Sequence, residues 1–114
     1  MIFQLDTSKG QPVGMVTLKT RIDASNSGEL LKAFTEWLKQ TSNFVFDCKE
    51  LDFIDSSGLG TIVSCLRKSL EHHGDLKLAA LGPKVAMVFE LTKARRLFSI
   101  FSESAEAIQS FRTV

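Results

Sequence analysis

The chain has 114 residues, of which 44% are hydrophobic and 24% are charged, proportions typical of one soluble globular domain. We therefore expect a single domain over residues 1–114. Basic and acidic residues nearly balance, at 14 and 13, so the sequence lacks the basic surface by which proteins bind nucleic acid. No nucleic-acid partner is expected.

The N-terminal segment and the cysteines bear on the compartment. Residues 1–6 (MIFQLD) lack the basic start and long apolar core of a signal peptide, and no segment approaches the roughly 20 apolar residues of a membrane span. We expect a cytoplasmic protein that does not insert into a membrane. Cys48 and Cys65 lie in apolar patterns, which predicts two reduced, buried thiols, with a disulfide between them as the alternative.

Alternating hydrophobicity predicts two strands at the start of the chain. Phe3 and Leu5 alternate with polar residues, and a second alternation covers residues 16–22. The turn signal at residues 9–12 (KGQP) separates them, so the two strands should form a hairpin.

A helix and a buried strand are predicted next. Residues 25–27 (SNS) offer helix caps, and apolar residues then recur at helical spacing, which predicts a helix over 26–40. The unbroken apolar run at 44–46 is typical of a strand covered on both faces. Residues 51–54 lead from this strand to the next helix.

The second half of the chain repeats the alternation of helix and strand. A helix should end near His72, with Gly74 as its left-handed cap, and a strand should follow over 76–80. Pro83 is well placed to begin a third helix. A final strand at 98–101 and a closing helix complete the order ββαβαβαβα. This order predicts an α/β fold with a mixed sheet, largely parallel inner strands and about four flanking helices.

An enzyme needs groups that converge on a substrate, and the sequence offers few. His72 and His73 are adjacent near a helix end, where positive charge is favourable, and with the cysteines they lack the spacing of a metal site. Neither a glycine-rich phosphate loop nor a Gly-x-Ser-x-Gly elbow is present. Asp52 and Asp55 have no supporting histidine or lysine. We expect no catalytic residue, no metal and no cofactor.

The most informative segment is residues 55–60 (DSSGLG), between a strand and an amphipathic helix. One interpretation is structural, because Asp and Ser are preferred helix caps and glycine permits close packing. The other is functional. A helix N-terminus tolerates an anion, and a phosphate on Ser56 would add about 1.5 to 2 negative charges, although the Asp55 carboxylate would repel it. Such a phosphate would change the surface without unfolding the helix, which suits a binding switch.

At these residues the chain resembles the anti-sigma factor antagonists of the STAS domain family (sulfate transporter and anti-sigma factor antagonist). Residues 53–60 (FIDSSGLG) match the Asp-Ser-Ser-Gly-Leu-Gly signature. Residues 44–47 (FVFD) resemble the family's apolar strand, and residues 21–24 (RIDA) resemble the strand end that carries an aspartate before the first helix. Residues 91–100 resemble the third helix and last strand. The resemblance covers nearly the whole chain and implies a single STAS domain.

The resemblance also implies a mechanism of partner switching. In the family, the unphosphorylated protein binds an anti-sigma factor that is itself a serine kinase, and this frees a sigma factor for transcription. The kinase phosphorylates the serine after the motif aspartate, here Ser56, which breaks the complex, and a phosphoserine phosphatase resets it. The positions expected to support this site or to contact the partner are Asp23, Asp55, Ser57, Gly58 and Leu59.

Two features depart from the pattern or have no assigned role in it. Many family members have glycine where this chain has Thr20, which should alter a strand-end turn. Lys93, Arg95 and Arg96 form a basic stretch that is expected to be a solvated face.

A second hypothesis is a constitutive STAS subunit of a lipid ABC transporter or of a larger signalling assembly. Such a subunit would need the fold and its surface but not Ser56. The complete phosphorylation motif favours the switch, because a purely structural subunit has no need of an acceptor serine.

Overall fold

The computed structural model describes residues 1–8 and 10–112 and contains a five-stranded sheet whose strands lie side by side in chain order. The strands are β1 (Ile2–Asp6), β2 (Val13–Ile22), β3 (Asn43–Ile54), β4 (Asp75–Ala79) and β5 (Ile100–Phe101). β1 pairs antiparallel with β2, and β2 through β5 pair in parallel. This confirms the predicted hairpin and the mixed sheet with parallel inner strands.

Helices cover both faces of this sheet. They are α1 (Ser27–Trp37), α2 (Ser56–Glu71), α3 (Pro83–Leu91), a 3₁₀ helix (Ala94–Leu97) and α4 (Ser104–Ser110). α1, α2 and α3 pack on one face with Phe44 and Phe46, whereas α4 packs on the other face with Val45. The four predicted α-helices are confirmed, and the 3₁₀ helix was not predicted. None of the described helices is long and apolar enough to cross a membrane.

β3 is one continuous strand where the sequence predicted a strand at 44–46 and a separate approach at 51–54. Its first half is buried because helices cover both faces. Lys49 and Glu50 are exposed, yet the strand continues, because its pairing with β2 extends to Ile22 and Ile54. β2 and β3 therefore end at the same edge of the sheet.

Aromatic side chains form the centre of the larger core. The ring centroid of Phe34 in α1 lies 4.4 Å from that of Phe44 and 6.0 Å from that of Phe46, and all three residues are fully buried. Trp37 in the last turn of α1 stacks on Phe3 of β1 at 5.0 Å. These contacts hold α1 against the sheet.

Two helix ends differ from the predictions. α1 ends at Trp37 rather than near residue 40. After α2, His73 adopts the left-handed conformation with φ 65°, so the prediction that Gly74 is the left-handed cap was wrong. Gly74 is required for another reason, because a Cβ on it would overlap the carbonyl oxygen of Ser42. The glycine allows two chain segments to approach closely.

The last strand is shorter than the predicted 98–101. Ile100 and Phe101 pair with β4, whereas Phe98 turns into the core and is 8% exposed. Its ring lies 5.8 Å from that of Phe89 in α3. The Phe98 side chain therefore packs in the core at the end of the 3₁₀ helix, and the residue does not extend the sheet.

Cys48 and Cys65 are buried free thiols, which confirms the predicted reduced pair and not the alternative disulfide. Burial raises the pKa of each thiol to about 12, and the neighbouring Asp47 carboxylate adds to the rise at Cys48. Because the thiolate is the reactive form, both side chains are inert near neutral pH.

Candidate functional site

Two loops meet where β2 and β3 end. Ile22 and Ile54 are register partners at the carboxyl ends of these parallel strands, and each is followed by an aspartate. The backbone N–H of Asp55 donates to the carbonyl oxygen of Ile22 at 3.3 Å. The loop of residues 23–26 and the start of α2 are therefore neighbours, and both predicted aspartates lie at this edge.

Asp55 joins the two loops through its side chain. One carboxylate oxygen accepts a hydrogen bond from the N–H of Gly58 at 2.8 Å, and the other accepts one from the N–H of Ala24 at 3.2 Å. The first bond caps α2, because it satisfies one of the free amides in the first helical turn. The structural interpretation of the motif therefore holds for Asp55, which is the N-cap, and not for Ser56.

Gly58 and Leu59 lie beneath the surface. Gly58 is buried, and a Cβ on it would overlap the carbonyl oxygen of Ile22, so only glycine allows α2 to begin so close to β2. Leu59 is 9% exposed and belongs to the larger core. The structure thus places both residues where they position the start of α2 rather than where they present a broad surface.

Ser56 is the first residue of α2, and its side chain is exposed. Within the described residues its hydroxyl group makes no hydrogen bond, so none has to break before the oxygen reacts. Ser57 is also exposed. The motif therefore combines an aspartate that caps the helix, Asp55, with two exposed serines, Ser56 and Ser57.

Asp23 is held by its own loop. Its carboxylate accepts hydrogen bonds from the hydroxyl and N–H groups of Ser25 and lies 3.0 Å from the Arg21 Nε. The Ser25 hydroxyl is the largest cause that lowers the pKa of Asp23, followed by the Ser25 N–H and the Arg21 charge, while desolvation opposes them. Arg21 also lies over the Phe53 ring at 5.0 Å. Asp23 thus remains a carboxylate in the loop that Asp55 binds.

Metal binding finds no support in this arrangement. Across residues 1–8 and 10–112, no three side chains of His, Cys, Asp or Glu converge on a point that could hold an ion. Both aspartates of the site have backbone N–H groups as partners instead.

A groove of about 750 Å³ runs beside Ser56, between α2 and the chain segment 88–97. Its charged lining consists of three basic residues, Arg67, Lys93 and Arg96, and of Asp55, whose oxygens both accept hydrogen bonds. Its apolar lining residues are Ile54, Leu59, Val63, Val88, Ala94 and Leu97. Such a mixture of apolar and cationic groups suits a protein segment better than a small polar substrate.

The groove changes the interpretation of the basic stretch. The sequence predicted a solvated face for Lys93, Arg95 and Arg96, and Arg95 fits this prediction, with its Nε 3.9 Å from a Glu90 carboxylate oxygen. Lys93 and Arg96 are exposed as well, as predicted, and in addition they line the groove with Ser56. Sequence reasoning missed the groove because its two walls, residues 54–67 and 88–97, lie about 20 or more positions apart in the chain, and no local pattern joins them.

Thr20 occupies a backbone conformation that favours glycine. Its φ is 63°, in the left-handed region, where a β-branched side chain is rare. The register between β2 and β3 shifts directly after it, from Thr20 opposite Leu51 to Arg21 opposite Phe53. The departure that was noted in the sequence therefore lies at an irregularity in the strand that leads to Asp23.

The model of the STAS domain matches residues 4–107. The chain belongs to the STAS domain family. The anti-sigma-B factor antagonist of Bacillus subtilis is 22% identical to it, over 96% of this chain and 100% of that one. The structure of the unphosphorylated anti-sigma factor antagonist SpoIIAA superposes with a TM-score of 0.80 at 22% identity and covers 99% of this STAS chain and 98% of SpoIIAA.

A Bacillus SpoIIAA structure in the phosphorylated form gives a TM-score of 0.71 at 19% identity and covers 96% of this chain and 99% of that one. At these identities the structural likeness establishes the fold, which confirms the predicted STAS-type architecture.

Proposed function

We propose that this STAS protein is an anti-sigma factor antagonist that works by partner switching. The unphosphorylated form binds an anti-sigma factor with serine kinase activity, and the sigma factor is released. Phosphorylation of Ser56 breaks this complex, and a phosphoserine phosphatase restores the binding form. The protein acts by binding rather than by catalysis, in the cytoplasm.

The observation that carries the proposal is the state of Ser56. Its hydroxyl group is exposed at the first position of α2, makes no hydrogen bond within the described residues, and lies beside an apolar and cationic groove. The family assignment supports this proposal, as do the names of two relatives, both anti-sigma factor antagonists.

A phosphate at Ser56 would act on binding rather than on folding. It would add about 1.5 to 2 negative charges next to the positive end of a helix, which tolerates an anion. Asp55 already holds the first turn through Gly58 and the neighbouring loop through Ala24, so the backbone need not move. A partner that packs against Ser56 would then have to desolvate a doubly charged group, which weakens binding.

The other predicted residues have supporting roles in this proposal. Asp55 and Gly58 fix the start of α2, and Leu59 anchors it to the core. Asp23 presents a carboxylate from the adjacent loop, and Ser57 contributes exposed surface next to the acceptor.

The test combines phosphorylation with capture. Purified wild type, Ser56→Ala and Ser57→Ala proteins are incubated with ATP and the anti-sigma factor kinases of the source organism, and the site is mapped by mass spectrometry. We expect wild type and Ser57→Ala to be phosphorylated and Ser56→Ala to remain unmodified. The same kinase should be retained by immobilised Ser56→Ala and lost from Ser56→Asp, while circular dichroism shows both variants folded.

The opposite results are equally informative. Equal retention of transporter or assembly subunits by wild type, Ser56→Ala and Ser56→Asp would show that the protein is a constitutive subunit. An unfolded Ser56→Asp protein would show that the start of α2 cannot accept a charge, which removes the physical basis of the switch.

A further inference from the structure

The groove beside Ser56 carries excess positive charge. Arg67, Lys93 and Arg96 line it, and within the part of the chain that the structure describes none of them forms an ion pair. The single carboxylate among the described lining residues is Asp55, whose two oxygens accept hydrogen bonds from Gly58 and Ala24.

The arrangement on the second wall is specific. Lys93 follows α3 with φ 62°, a conformation that favours glycine at a helix end, yet this position holds a cation. Arg96 is three residues further along, in the 3₁₀ helix, and lines the same groove. Arg95 between them does not line it and lies near Glu90 instead. Two of the three cations in this segment thus line the groove, and the third does not.

We infer that Lys93 and Arg96 form a receptor within this chain for the phosphate on Ser56. The inference rests on the proposed function, since it assigns the fate of the phosphate that the switch requires. The phosphate is drawn toward the opposite wall of the groove, where the two cations pair with its oxygens. The modification thereby neutralises the positive charge of the groove and places a negative group over its apolar lining. The kinase then meets a surface that is neither cationic nor apolar.

Direct pairing would bring both cations well within the Debye length of about 10 Å at 0.1 M salt, so their effect on the phosphate should be measurable. At low ionic strength and in a water-like dielectric, two cations about 9 Å from a phosphate lower its pKa by about 0.7. Closer approach of the flexible side chains increases the effect.

The experiment measures the second pKa of the phosphate itself. Phosphoserine is incorporated at position 56 during translation, and ³¹P NMR follows the phosphate between about pH 4 and 8, around its ordinary pKa of about 6, at low salt. The same titration is made in Arg96→Gln, in the Lys93→Gln/Arg96→Gln double variant and in Arg95→Gln. The last variant removes an identical charge from the same 3₁₀ helix but outside the groove.

We expect the pKa of the phosphate to rise by about 0.3 or more in Arg96→Gln and by about 0.7 or more in the double variant, and to rise clearly less in Arg95→Gln. The rise should shrink as salt is added. Equal values in Arg95→Gln, Arg96→Gln and the double variant would overturn the inference. The titration needs no kinase, so its failure leaves the phosphorylation and capture results intact. Conversely, a shifted pKa without kinase capture would refute the proposed function and leave the receptor standing.

Discussion

Replacing Thr20 by glycine should make this STAS protein more stable, contrary to the usual effect of glycine in a strand. Thr20 is exposed and has φ 63° at the end of β2. The left-handed conformation costs an L-residue with a side chain about 1 to 2 kcal/mol, and glycine removes that cost. Because the threonine side chain is exposed, little packing is lost with it.

The magnitude follows from two opposing contributions. Glycine gives the unfolded chain more freedom, which offsets the gain by about 0.4 to 1 kcal/mol. From the middle of both ranges, the net stabilisation should be about 0.8 kcal/mol, equivalent to a rise in Tm of about 2 to 6 °C for a domain of this size. Urea unfolding followed by circular dichroism measures the free energy, and differential scanning calorimetry measures Tm.

Thr17→Gly is the matched control, because Thr17 lies in the same strand without a positive φ. This variant should lose about 1 kcal/mol, since glycine there brings only flexibility and the loss of a side chain. A Thr20→Gly protein that is destabilised as much as Thr17→Gly would refute the reasoning. It would mean that the backbone at Thr20 is not left-handed in solution or that its side chain has an essential contact.

Three further predictions concern the core, the thiols and the Asp23 loop. Phe46→Ala should lower the free energy of unfolding by about 3 to 5 kcal/mol in urea titrations, because the ring is fully buried. Cys48 and Cys65 should not react with a thiol reagent at about pH 8 unless urea is added, since burial raises their pKa to about 12. Ser25→Ala should raise the pKa of Asp23 in NMR titrations. Because the native pKa of Asp23 lies below the ordinary value of 3.8, its carboxylate stabilises the fold at pH above that value, and this stabilisation is lost as the pH falls through the native pKa. The variant lacks part of this stabilisation and should therefore lose less stability in acid.

The order of strands and helices could be predicted because each element carries its own hydrophobic period. The alternation over 16–22 and the apolar run at 44–46 identify β2 and the centre of β3, and the helical stripes identify α1 and α2. Errors arose where tertiary contacts override local signals. The polar residues Lys49 and Glu50 interrupt the apolar pattern of β3, but the pairing with β2 resumes at Glu50 after a register shift and extends to Ile54.

In the candidate site, too, the local features could be predicted from the sequence and the tertiary contacts could not. The sequence alone points to Ser56 and Asp55, because the cap motif is local. The bond from Ala24 to Asp55 spans 31 positions, and the groove joins α2 to residues near 93, so neither has a signature in neighbouring residues. Gly74 illustrates a subtler error. Its position after a helix suggested a conformational role, whereas its contact with Ser42 shows a requirement for space.

The contacts that fix the start of α2 limit how a switch could work in so small a domain. Asp55 binds both loops, Gly58 admits no side chain, and Leu59 is anchored in the core, so the start of α2 has little freedom to rearrange. A partner must then recognise a modification at Ser56 by its charge and by the altered surface, because the fold does not change. In that case the groove cations matter more than the helix itself, because Lys93 and Arg96 decide whether an added phosphate projects toward a partner or is drawn into the groove.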